Sequence, residues 1–298
     1  MSVEKKSCLY IIVAGILWGI ISIFIRMMSG FGFNTMQIAT VRMAASSVVF
    51  ALYLLISAPE KFKINIKDWW MFFCTGVLCI FLHNATYFYG IIYGEISVAN
   101  VLVYTSPVFV MLVSALVFKE KITKRKLFAL ILTFSGCICV SGILGNGVHT
   151  EPLIVLIGIS SGFFYGMYTI FSKLALKKYS SETINMYTFL FSMMASIFLI
   201  DIPETAKILF GSWQCLTVTV GAAITSCLLP FFFYTMGLKH VEGSKAAILV
   251  SVDPVVGSII GIVFMNESHS FVKILGILLV LASIVVLNTG KDTKKDRC

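Results

Sequence analysis

SVANVLVYTSPVFVMLVSALVFKEKITKRKLFALILTFSGCICV (Ser97–Val140) and GSKAAILVSVDPVVGSIIGIVFMNESHSFVKILGILLVLASIVV (Gly243–Val286) are one pattern written twice. Each is an apolar run carrying one proline, a polar turn carrying a glutamate, and a second apolar run. Shifting the chain by 147 positions lays Pro107 on Pro254 and Glu120 on Glu267 without a gap. The same shift pairs Gly15 with Gly162, Gly19 with Gly166, Phe24 with Phe171, Tyr87 with Tyr234, Gly90 with Gly237 and Glu95 with Glu242. Near-matches are Trp18 with Tyr165, Ser22 with Thr169 and Arg26 with Lys173. Chance aligns apolar residues in so biased a chain, but rarely prolines, glutamates and glycines at a single offset. The chain is therefore an internal duplication, with halves expected over 1–147 and 148–298, the second ending in a short basic tail.

Of the 298 residues 58% are hydrophobic and only 12% charged, against roughly 25% charged in a soluble domain. The mean hydropathy is +0.96. So few charges cannot cover a wet surface of this size, and the lipid bilayer is the natural solvent. The net charge of +9 does not point to nucleic acid, because the basic residues cluster between apolar runs, as loops at a membrane face do. The eight cysteines show no CxxC or metal-ligand spacing and read as small packing residues.

Apolar stretches long enough to span hydrocarbon recur ten times, near 8–29, 35–57, 68–90, 96–118, 125–144, 152–175, 183–202, 213–237, 244–265 and 270–289. The weakest division is the polar turn from Gly90 to Ser97. Ten spans put both termini on one side, and 19 of the 23 Lys and Arg residues fall on that side, which the positive-inside rule makes cytoplasmic. Five spans per half is an odd number, so the second half enters from the opposite face. The expected fold is all-α, ten transmembrane helices in two inverted five-helix repeats. Inverted repeats permit alternating access, because exchanging the conformations of the halves turns one open state into the other.

Pro107 and Pro254 fall near the middle of helices four and nine, where each leaves the carbonyl of Val103 or Val250 without its helical donor; a kink or hinge is expected. Asp253 precedes Pro254 at mid-membrane, a position where a carboxylate must be neutral, paired or wet. It reads as a proton-coupling group, a site for a substrate ammonium, or a structural acid; its repeat counterpart is the neutral Ser106. Arg42 in helix two binds a carboxylate, pairs with an acid or snorkels outward. Arg26 and Lys173, close to helix ends, read as snorkelling. His83, Asn84 and Asn100 are polar positions in helices three and four, read as substrate-binding candidates or interhelical hydrogen-bond donors, and Trp18, Tyr104, Tyr165 and Tyr168 are aromatic residues deep enough to need a partner or a wet cavity, read as candidates to line the substrate site. GILWG (Gly15–Gly19) and GFFYG (Gly162–Gly166) are small-xxx-small patterns that allow close helix approach, read as packing.

These residues resemble the EamA branch of the drug/metabolite transporter superfamily over almost the whole chain. Leu17-Trp18-Gly19, Arg42 within VRMAAS and the two long passages quoted above carry the likeness. It implies a central cavity between the halves, transport of metabolites such as amino acids, often outward, and an inner or plasma membrane location. Two departures stand out: Lys119-Glu120 and Asn266-Glu267 occupy places where the family commonly has Gly-Glu.

No HExxH, GxSxG, aspartate dyad or nucleotide-binding loop is present, so no enzyme or primary pump is expected, and no catalytic residue, metal or cofactor. Nothing resembles a channel filter. The expected function is a secondary transporter of small metabolites, exporting amino acids or similar zwitterions, with organic cations or drugs as the alternative substrate class and a channel less favoured. Expected partners are the substrate, the bilayer and protons, with a homodimer kept open and nucleic acid excluded.

Overall fold

The computed structural model describes residues 2–94, 96–141, 143, 151–264 and 271–289. Glu95, Asn266, Glu267 and the basic tail from Gly290 lie outside the described residues, as does Cys298. Among the described residues the chain forms ten long helices: α1 Val3–Gly30, α2 Thr35–Ser57, α3 Ile66–Tyr93, α4 in two pieces Ile96–Val103 and Ser106–Phe118, α5 Lys124–Ser141, α6 Pro152–Ala175, α7 Ser181–Leu199, α8 Trp213–Leu238, α9 in two pieces Gly243–Val250 and Asp253–Phe264, and α10 Phe271–Thr289.

Eight of these are long and apolar enough to cross a membrane among the described residues. α7 reaches that length and apolarity with the short helix Ile202–Leu209, from which it is bent by 113°. Asp201 caps the short helix through Oδ1, which accepts from the Glu204 N–H at 2.9 Å, and Pro203 follows it, so the span stops earlier than the expected 202. α5 is 18 residues and opens on Lys124, Arg125 and Lys126. α1 starts at Val3 rather than 8, because Ser2 caps it and Glu4 occupies the first turn.

The halves interlock. α1 packs on α8 and α9, and in the second half α6 packs on α3 and α4 in the same way; α2 lies against α7 and α5 against α10. The last pair is drawn together by Gly136 and Gly276, each facing the other's carbonyl, and by a Thr133 Oγ1 to Ser283 Oγ hydrogen bond of 2.8 Å.

The prolines interrupt their helices where a kink was expected. α4 stops at Val103 and restarts at Ser106; α9 stops at Val250 and restarts at Asp253. Pro107 and Pro254 thus sit in the first turn of a new half-helix, where a missing N–H leaves no gap. α3 and α8 carry a second matched irregularity. The Leu82 N–H reaches Val77 O, and the Leu229 N–H reaches Ile224 O, each five residues back. These π-turns lie one repeat apart, and such turns collect at functional sites.

Candidate functional site

The two helix breaks are seated on glycines of the other half. A Cβ on Gly15 would stand 2.6 Å from the Val250 carbonyl oxygen, and one on Gly19 2.7 Å from that of Asp253. In the second copy, a Cβ on Gly162 would stand 3.1 Å from the Val103 oxygen, and one on Gly166 3.0 Å from that of Ser106. The two small-xxx-small patterns pack as expected, and the first glycine of each does so on a carbonyl that a proline leaves free, Gly15 on that of Val250 and Gly162 on that of Val103. Cα–H groups approach where an N–H is missing.

Between the breaks lies a cavity lined by Trp18, Ser106, Tyr165, Tyr168, Thr169, Phe231 and Tyr234. It leaves about 20 Å³ for water centres, room for one or two waters. The Trp18 ring meets those of Phe231 at 4.9 Å, Tyr234 at 5.5 Å and Tyr165 at 6.3 Å. Three hydroxyls of the wall are partnered: Tyr168 donates to Asn185 Oδ1 at 2.9 Å, and Tyr234 and Thr169 share a hydrogen bond of 2.6 Å. Asn185 in turn donates to Thr235 Oγ1 at 3.2 Å.

Tyr165 links this wall to a second, more polar group. Its ring lies 5.0 Å from that of His83, which stacks on Tyr87 at 5.8 Å. The Tyr87 hydroxyl donates to Asn100 Oδ1 at 2.5 Å. His83 Nδ1 lies 3.0 Å from Ser161 Oγ and 3.2 Å from Ser161 O. Asp253 is the first residue of the second α9 half-helix. Tyr104 lies in the α4 break and packs with Cys137, Val255 and Val280. The Asp253 Oδ1 is buried and makes no hydrogen bond among the described residues. A carboxylate at a helix N-terminus, with one oxygen uncommitted, is chemically suited to a proton or an ammonium group.

Arg42 lies apart from this group, on α2 against the π-turn of α8. Its Nε donates to Ser226 Oγ at 2.9 Å and its Nη2 to Cys227 Sγ at 3.2 Å. It is 7% exposed, so it does not snorkel. Asn84 folds back onto Ile80 O of its own helix at 2.9 Å. Lys173 corrects the snorkelling expectation: its ammonium pairs with Glu120 at 2.8 Å and donates to Val241 O at 3.0 Å. Arg26 is exposed. Phe231, Thr169, Asn185 and Ser161 were not singled out in the sequence. The 147-residue offset points to two of them, since Phe231 is the counterpart of Asn84 and Thr169 of Ser22.

Comparison with known proteins agrees with this architecture. Two curated relatives from Archaeoglobus fulgidus, each described as an uncharacterized transporter, are 24% and 23% identical. They cover 85% and 93% of this chain, and 88% and 94% of their own length is matched. The uncharacterized transporter YetK of Bacillus subtilis is 24% identical over 82% of this chain and 76% of its own. A crystal structure titled only as that of a protein superposes with a TM-score of 0.79 at 16% identity, covering 95% of this chain and 96% of that one, and so shares the fold. A family model for the EamA-like transporter family matches residues 5–142 and again 152–289. With its helices in two inverted repeats and both copies of the family model matched, the chain is a multi-pass membrane transporter belonging to the EamA-like transporter family.

Proposed function

We propose that this protein is a secondary carrier that exports amino acids or similar zwitterions by alternating access, with residues 1–147 and 148–298 exchanging conformations. It works in the cell membrane with both termini cytoplasmic. One observation carries the substrate class. Arg42 and Asp253 are opposite charges inside helical spans, one in each half, and neither is in an ion pair among the described residues. Their repeat counterparts, Phe189 and Ser106, are neutral. Architecture alone would repeat in both halves, so charge placed in only one copy argues for chemistry. An unpaired charge at this depth is expensive, and a zwitterion brings a carboxylate for the guanidinium and an ammonium for the acid once the change of conformation brings these two residues, apart in this structure, to one substrate.

Asp253 also supplies a coupling step. Its carboxylate holds either a proton or a substrate ammonium, and neutralising it twice is not possible. A carrier that returns with the proton after releasing substrate moves the two in opposite directions, which is export driven by the proton gradient. The small cavity supports the cycle, since an amino acid needs more room than this conformation leaves.

The test is transport by the purified protein in proteoliposomes. A labelled panel of amino acids, nucleosides and quaternary amines is followed with and without a pH gradient. Selective, gradient-driven movement of amino acids that Asp253→Asn uncouples is the expected result. Movement of quaternary amines in preference to amino acids favours the second reading, an organic-cation carrier using Asp253 with aromatic residues such as Trp18, Tyr104 and Tyr165. Transport indifferent to both the gradient and the substitution would leave a facilitator, with Asp253 structural.

A further inference from the structure

Glu120 follows the last turn of α4, and the chain turns sharply to present it. Lys119 takes a left-handed conformation, φ 56°, and the Glu120 N–H returns to Ser114 O at 3.3 Å. The carboxylate is thereby aimed at the start of α9. Its Oε1 accepts from the Gly243 N–H at 2.8 Å, and its Oε2 from the Ser244 N–H at 3.1 Å and from Ser244 Oγ at 2.7 Å. Lys173, from the end of α6, closes the ring at 2.8 Å. One 6% exposed carboxylate side chain therefore ties three helix ends, from both halves, on the face that carries the N-terminus.

The tie is close as well as charged. Gly243 approaches α4 so nearly that a Cβ would stand 2.7 Å from Ser114 Oγ. Two outer ion pairs, Lys126 with Glu242 and Lys245 with Glu4, fasten the same helix start to α5 and α1. The first piece of α9 is eight residues long, about 12 Å of helix. Glu120 holds one end of it; the other end is the break at Asp253, seated on Gly15 and Gly19. Ala247 and Val250, between the two, line the cavity.

We propose that Glu120 is the positioning residue that closes the N-terminal face of the carrier, acting through this rigid half-helix on Asp253. Its release frees the start of α9 to swing and opens the cavity to that face. The inference rests on the alternating-access reading but not on the substrate assigned to it, and its test needs no substrate.

The test places a single reporter thiol, Ala247→Cys, in a variant free of the native cysteines. Labelling by a membrane-impermeant maleimide is then timed from each side of sealed vesicles. With Glu120→Gln, labelling from the N-terminal face speeds up by about tenfold or more, while the opposite face gains nothing. Lys173→Met moves the rate in the same direction and Lys173→Arg, which keeps the pair, leaves it near that of the parent. Gly243→Ala, which keeps every charge but pushes against Ser114, also accelerates that face and stands in if Glu120→Gln does not fold. An unchanged rate in folded Glu120→Gln protein overturns the proposal. So does equal acceleration from both faces, which would mean general loosening. Loss of amino-acid selectivity in the transport panel with sided labelling intact would sink the substrate assignment and leave the closing role standing.

Discussion

Gly15 lies against the main-chain carbonyl of Val250, the acceptor that Pro254, four residues on, has no N–H to reach. The contact recurs one repeat away between Gly162 and Val103. A helix break in a membrane needs its freed carbonyl covered, and here a glycine of the opposite half covers it. The two halves therefore meet at the points where their helices are interrupted.

This predicts an unequal response to two conservative changes. Gly15→Ala puts a methyl 2.5 Å from Val252 Cγ1 and 2.6 Å from Val250 O, and main chain cannot step aside without moving the break. The expected loss is about 1–3 kcal/mol, the usual cost of overpacking. Gly30→Ala meets no atom within 4 Å and should stay within about 0.5 kcal/mol of the parent. Thermal unfolding in detergent compares them. Equal melting temperatures would mean that the seat is looser than the distances imply.

Lys119 explains one departure from the family pattern and yields a second prediction. It is the one non-glycine residue with positive φ among those described, at the place where the sequence resemblance leads to an expectation of glycine. A Cβ in that conformation costs roughly 1–2 kcal/mol, and glycine is the ordinary residue just past a helix end. Lys119→Gly should therefore stabilise by up to about 1 kcal/mol after its own entropy cost, whereas Lys119→Ala should not. A rise in melting temperature shared by both variants would instead implicate removal of the charge.

Much of this molecule was legible beforehand. Ten spans follow from hydropathy, and inversion follows from an odd number of spans per half. What proline means was harder to read. Pro107 announces a missing N–H, but whether the chain bends or stops depends on what covers Val103, and that cover comes from Gly162 in the other half. The π-turns at Val77–Leu82 and Ile224–Leu229 have no residue signature of their own. Lys173 was misread because its partner lies 53 positions away, although the order of spans already puts the ends of α4 and α6 and the start of α9 on one face. His83 was visible as a polar residue, but Ser161, which holds it, looked like one small residue among many.

Glu120 should report itself in the pH dependence of stability. Burial raises its pKa, but hydrogen bonds from Lys173, Ser244 and Gly243 and the Lys173 charge outweigh that, and the net result lies below the ordinary 4.5. A carboxyl with a depressed folded-state pKa contributes fully above its unfolded value and loses that contribution as pH falls through the folded one. The gap in melting temperature between the parent and Glu120→Gln should thus be constant from neutral pH to about 5 and close progressively below 4.5. A gap that persists unchanged at pH 3 would show that packing, not charge, holds the helix ends.

Arg42 offers the sharpest discrimination between a binding role and a structural one. Ser226 and Cys227 occupy the Nε and Nη2 edge of the guanidinium, and no hydrogen bond engages Nη1 among the described residues. Arginine can present a second, end-on fork to a carboxylate. Lysine retains the charge and loses the fork. Arg42→Lys should therefore raise KM for an amino acid by about tenfold, the equivalent of some 1.4 kcal/mol. The decarboxylated amine of the same side chain gives that fork nothing to grip, so its KM should be alike in parent and variant. If the substitution impairs both solutes equally, Arg42 is a strut between α2 and the α8 π-turn, and the substrate carboxylate must be bound by some other group.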